Sequence, residues 1–143
     1  MVMCVRVCFA LVLLANCASD SLAQAPRKQS NDLIDGAMTR ALIERAAFLA
    51  CARMNKDVES EALLIRGWAL DIAESSKLLK QHGFSDSFVI ALPVWMNLEK
   101  SVPKFANAAE LRDYCARLGD WKARWERFNY SLPQLELKRI LKN

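Results

Sequence analysis

The sequence predicts an all-α protein, a compact bundle of four to six helices with one disulfide, following a cleaved signal peptide. Three observations carry that prediction. Apolar residues recur three or four positions apart almost throughout, and no stretch shows the two-residue alternation of a half-buried strand. Hydrophobic residues make up 53% of the chain against only four glycines and four prolines, a composition that favours a packed core over disorder. Of the five cysteines, Cys4, Cys8 and Cys17 lie in the leader, so that only Cys51 and Cys115 remain.

The leader comes first. Arg6 supplies a positive start and Val7–Ala15 an unbroken apolar run, within the length of a signal-peptide core and far short of the ~20 residues that cross a bilayer. Ser21-Leu22-Ala23 then presents small side chains at the positions a signal peptidase reads, so cleavage is expected after Ala23. A second site after Ala25 is disfavoured because Pro26 would become the first residue. Leu14-Ala15-Asn16-Cys17 outlines a rival lipoprotein box, with Asn16 the wrong residue before the cysteine. The expected organisation is a signal peptide over 1–23, a flexible lead over 24–30 and a single helical domain over 31–143. The domain's setting is the periplasm or the outside of the cell. In that oxidising setting Cys51 and Cys115 are expected to pair as a structural disulfide.

The domain's elements follow in order. Asn31 or Asp32 caps a first helix running to about Met54, with Ile34, Met38, Ala41, Phe48, Leu49 and Ala52 on its apolar face. Arg45 projects near that face and must either snorkel or find a carboxylate. Asp57 caps a second, long helix that Gly83 closes, its stripe read as Val58, Ala62, Ile65, Trp68, Ala69, Ile72 and Leu79. Leu63, Leu70 and Leu78 widen its apolar surface, which makes this helix the first candidate for a partner or self contact. A third segment starts near Ser85–Ser87 and is interrupted by Pro93, as a kink or as two short helices. Asn107 and Glu110 open a fourth helix with Leu111, Tyr114, Cys115 and Leu118 on one face, ended by Gly119. Asp120 caps a fifth, and Ser131 with Pro133 start a last helix carrying Leu135, Ile140 and Leu141.

The fifth segment, Trp121–Tyr130, interleaves aromatic and basic residues and raises the question of a nucleic-acid platform. At 100° per residue Trp121, Trp125 and Phe128 fall on one side and Lys122, Arg124, Glu126 and Arg127 elsewhere. A stacking platform needs rings and cations side by side. Segregation predicts a packed amphipathic helix instead.

Charge is unevenly placed. Residues 117–143 hold seven Lys/Arg against three Asp/Glu, a net of +4, while residues 24–116 hold twelve of each. Arg124, Arg127, Lys138, Arg139 and Lys142 form a candidate basic patch for a polyanion or a membrane surface.

Few motifs carry chemistry. The lone histidine, His82, lies at a predicted helix end, where a cation suits the dipole. Ser101-Val102-Pro103-Lys104 has the Ser-x-x-Lys spacing, but Pro103 breaks the helix that would align its two ends. No Gly-rich phosphate loop and no metal-ligand spacing occur in the sequence, so neither a cofactor nor a metal is expected. Asn129-Tyr130-Ser131 is an N-glycosylation acceptor pattern, meaningful only in a eukaryotic host. The leading expectation is therefore an exported, non-enzymatic helical protein that binds a partner, most plausibly protein. Its rivals are a small envelope enzyme using carboxylates with His82, and a binder of polyanions or membrane surfaces through the basic last quarter.

Overall fold

The computed structural model describes residues 20–142, with only the backbone for 20–30. The apolar run, Cys17 and the other expectations for residues 1–19 lie outside these residues. Six α-helices and one 3-10 turn follow in the order α1 (Asp20–Met54), α2 (Val58–Gln81), α3 (Asp86–Trp95), the turn Glu99–Ser101, α4 (Ala108–Leu118), α5 (Trp121–Glu126) and α6 (Pro133–Ile140). Among the described residues there is no strand. Helix α1 starts at Asp20, before the cap expected at Asn31 or Asp32.

Helix α1 is the axis of the fold. It packs against α2, α4 and α6, while α2 also packs against α3 and α6. The eight residues Arg45–Ala52 are all buried. An α-helix turns every 3.6 residues, so eight buried positions mean that neighbours surround it for two full turns. This ring of cover explains the run of alanines at 46, 47, 50 and 52, where a small side chain lets other helices approach closely.

The second helix keeps its predicted ends but not its predicted face. Asp57 caps it by accepting a hydrogen bond from the Ser60 backbone N–H at 3.0 Å, and Gly83 leaves it at φ +81°. The buried side comprises Ser60, Leu64, Trp68, Asp71, Ile72, Ser75 and Leu79. Val58, Ala62 and Ala69, expected on the buried stripe, are exposed. The apolar residues of α2 nearly encircle it, so hydrophobicity alone left its rotation undetermined.

Smaller corrections follow the same logic. Pro93 sits inside a single helix, α3, near its C-terminal end, where only one backbone bond is forfeited. The Asp120 side chain makes no capping bond. In α6 the buried residues are Pro133 and Leu137, while Leu135 is 46% exposed. Asn107 caps α4 as predicted, accepting from the Ala109 and Glu110 N–H groups, while Glu110 reaches back to the Ala106 N–H.

Helix ends without glycine hold a further lesson. Lys56 and Phe128 both adopt left-handed backbone, at φ 55° and 53°. After α5 the Phe128 N–H bonds the Trp125 carbonyl and the Asn129 N–H bonds that of Arg124. This is the Schellman closure that glycine usually provides. Phe128 therefore leaves the helix wheel, and its ring is 74% exposed rather than on the buried face with Trp121.

Candidate binding surfaces and the buried arginine

Three places gather unusual chemistry: the disulfide, a caged arginine, and the outer sides of α2 and α3. The disulfide joins Cys51 to Cys115 with Cα atoms 5.6 Å apart. Both sulfurs are buried, Cys51 completely. The bond fixes α4 to the most enclosed part of α1.

Arg45 finds a carboxylate rather than snorkelling. It is 1% exposed, and its Nη2 donates to Asp71 Oδ2 at 2.7 Å. Asp71 is buried on α2 only because this cation faces it. Burial lowers the Arg45 pKa and raises that of Asp71, each shift opposed by the charge of the other. Arginine keeps its proton in proteins, so Asp71 faces a permanent cation. Arg45 Nε and Nη1 have no acceptor among the described residues. Aromatic faces surround the guanidinium instead: its Cζ lies 4.2 Å from the Tyr130 ring centroid, 4.7 Å from Trp125 and 5.9 Å from Trp68. Trp125 and Tyr130 stack on each other at 4.8 Å. Gly67 on α2 makes room, since a Cβ there would sit 3.3 Å from the Trp125 ring.

The aromatic-basic stretch is thus a strap over the cage. Trp121 is buried, and its ring lies 6.1 Å from that of Phe48. Arg124 is not free: it bonds Glu44 and lies over the Phe48 ring at 5.2 Å. The second Glu44 oxygen accepts the Ser131 N–H at 2.7 Å. Lys122 pairs with the cap residue Asp57 at 2.6 Å, a bond that, with those from Ser60, holds the Asp57 carboxyl at about 2. Tyr130, which no helical spacing singles out, closes the cage. Its only signal was aromatic character next to Trp125 and Phe128.

The remaining candidates are dispersed. Arg127, Lys138, Arg139 and Lys142 are exposed on the last two helices and their flanks, while Arg124 is engaged with Glu44. His82 is exposed at the end of α2. Ser101 ends the 3-10 turn and donates to the Asn97 carbonyl, and Lys104 lies beyond Pro103, so the two do not share a helix turn. Asn129 is exposed. Among the described residues there is no group of three potential metal ligands, and no helix is long and apolar enough to cross a membrane.

Large apolar side chains are exposed on α1 at Ile43 and on α2 at Val58 and Leu70, and helix α3 groups several of them together. Phe88–Trp95 is apolar at every position, yet only Leu92 is buried. Ile90 and Val94, one turn apart, are 73% and 69% exposed, and Trp95 is 55% exposed. Beside it a trough of 330 Å³ runs along α2. One side is lined by α2 from Ile65 to Ser76, and the other by Pro93 and Met96–Glu99. The Trp68 indole N–H bonds the Met96 carbonyl at 2.7 Å and so sets the level at which the two walls meet.

Compared with known protein families, curated proteins and solved structures, the chain shows no significant match.

Proposed function

We propose that this is an exported, non-enzymatic helical protein whose α3 docks onto a protein partner in the periplasm or outside the cell. One observation carries the reading: an eight-residue apolar helix segment that leaves Ile90, Pro93, Val94 and Trp95 exposed. Apolar surface held open to water in one patch is costly unless a partner covers it. The Cys51–Cys115 bond supports export, because such bonds persist in oxidising compartments. The conspicuous ionic site, Arg45–Asp71, is sealed beneath the strap and offers no free acid or base.

The test places a photo-crosslinking residue at Ile90 or Val94 in the disulfide-intact protein within its own compartment, with Glu126 as control. A discrete adduct from α3 positions, lost in Val94→Lys, supports the reading. Identical adducts from Glu126, or none from α3, would refute it. Intact mass of the recovered protein checks export separately: the expected first residue is Gln24, and a mass including residues 1–23 contradicts cleavage.

A further inference from the structure

The open strip of α3 carries a charge pattern of its own. Asp86, Ile90 and Val94 follow one another at four-residue spacing, so they share one side of the helix, and all three are exposed. From Ser87 to Leu98 no residue is charged. The strip is therefore bounded by a carboxylate at the start of α3 and, past its end, by Lys100 on the 3-10 turn. Lys100 is exposed and forms no salt bridge among the described residues. Asp86 meets Lys80 at 3.0 Å, with both side chains mostly in solvent.

The protein's excess charge lies elsewhere. Residues 117–143 hold a net of +4 and residues 24–116 balance to zero. The basic strap meets α2 where Gly67 faces Trp125, whereas α3 lies along Ile65 and Ala69. Positions 67 and 69 point about 160° apart on a helix, so the strap and α3 occupy opposite sides of α2. Two copies joined through α3 keep their basic straps away from each other.

We propose that the partner of α3 is a second copy of this chain, in a weak two-fold dimer with the two α3 helices antiparallel. The proposal rests on α3 being a docking face and adds the identity of its occupant. A two-fold contact sets the same surface against itself, and this strip brings no like charges together. An antiparallel pair crossing at Ile90 and Val94 turns Asp86 of each helix towards Lys100 of the other copy. The opposite ends of the strip are thus complementary under that symmetry alone. Ile90, Pro93, Val94 and Trp95 fall short of the ~800 Å² per partner of a standard interface. The dimer is accordingly weak and concentration-dependent.

Sedimentation equilibrium of the disulfide-bonded protein tests it. Reversible dimerisation is expected with a Kd of about 10–100 μM, in keeping with a small interface. Val94→Lys and Ile90→Lys, both at exposed positions, should each raise Kd at least about tenfold. Asp86→Lys alone and Lys100→Glu alone should each weaken pairing, because like charges then meet at both ends of the strip. An equimolar mixture of these two variants should regain it, since a mixed pair again sets opposite charges at both ends. A photo-crosslinker at Ile90 separates this proposal from the docking reading beneath it. An adduct of two copies of the chain supports the dimer. An adduct with a different protein alone keeps α3 as a docking face and overturns the second copy, and no adduct overturns both. A chain that stays monomeric to about 1 mM, a dimer that survives Val94→Lys, or a mixture no stronger than either charge variant alone also overturns the proposal.

Discussion

Helix α4 and the strap of residues 121–131 both lie against α1, and they are held there by opposite means. The strap has Trp121 buried, Trp125 and Tyr130 stacked over Arg45, and two hydrogen bonds donated to Glu44, by Arg124 and by the Ser131 N–H. Helix α4 buries one residue, Cys115, and packs Leu111, Tyr114 and Leu118 only partly. No salt bridge joins it to another element among the described residues. One region is fixed by many non-covalent contacts converging on a buried charge. The other is fixed largely by a covalent bond. A short helix is marginal in water by itself, so the disulfide substitutes for the core that α4 lacks.

The largest expected effect comes from the strap's side. Asp71→Ala leaves the Arg45 cation buried and unpaired, which should destabilise the fold by about 3–5 kcal/mol. Replacing both partners together, Arg45→Met with Asp71→Leu, should recover most of that loss, because buried ion pairs are often no better than apolar contacts of similar volume. Denaturant melts of the three variants decide it. A cost for Asp71→Ala below about 1 kcal/mol would show that the cage alone stabilises the arginine.

Reduction of Cys51–Cys115 tests the other side. The bond closes a loop across a separation of 64 residues, worth at most about 4 kcal/mol through the entropy of the unfolded chain. Its loss should be local first. Hydrogen exchange in 108–118 should quicken strongly after mild reduction, while the amides of α1 and α2 keep their protection. If α4 and the strap lose protection together, the two regions are equally anchored and the contrast fails.

That contrast also marks what the sequence reveals. Helix number, the Asp57 and Asn107 caps, the glycine exits and the cysteine pair were legible because each depends on local chemistry or on simple elimination. The rotation of α2 was not. Its buried side includes Ser60, Asp71 and Ser75, and Asp71 is tolerable only opposite a cation 26 residues away on another helix. No periodicity count contains that information. The same holds for α3, whose apolar run reads as core by composition although the chain supplies nothing to cover Ile90 and Val94 among the described residues.

The smallest effect concerns Phe128, which the helix wheel places beside Trp121 and Trp125. Its backbone sits at φ 53° and its ring is 74% exposed, touching the fold mainly through Tyr130 at 6.1 Å between centroids. A residue with a Cβ pays about 1–2 kcal/mol for left-handed backbone, a cost glycine escapes. Against this, Phe128→Gly forfeits one exposed aromatic contact and gives the unfolded chain more freedom to lose. The two sides nearly cancel, so the substitution should change stability by no more than about 0.5 kcal/mol, as exposed changes usually do. Were Phe128 instead part of the packed face, losing its ring would cost about 3–5 kcal/mol. The gap between those values exceeds the error of an ordinary thermal melt. A large loss would put Phe128 back into the core and show that α5 continues beyond Glu126 in solution. A negligible one confirms that the strap's grip ends with Trp125 and Tyr130, and that Phe128 serves only to close the helix.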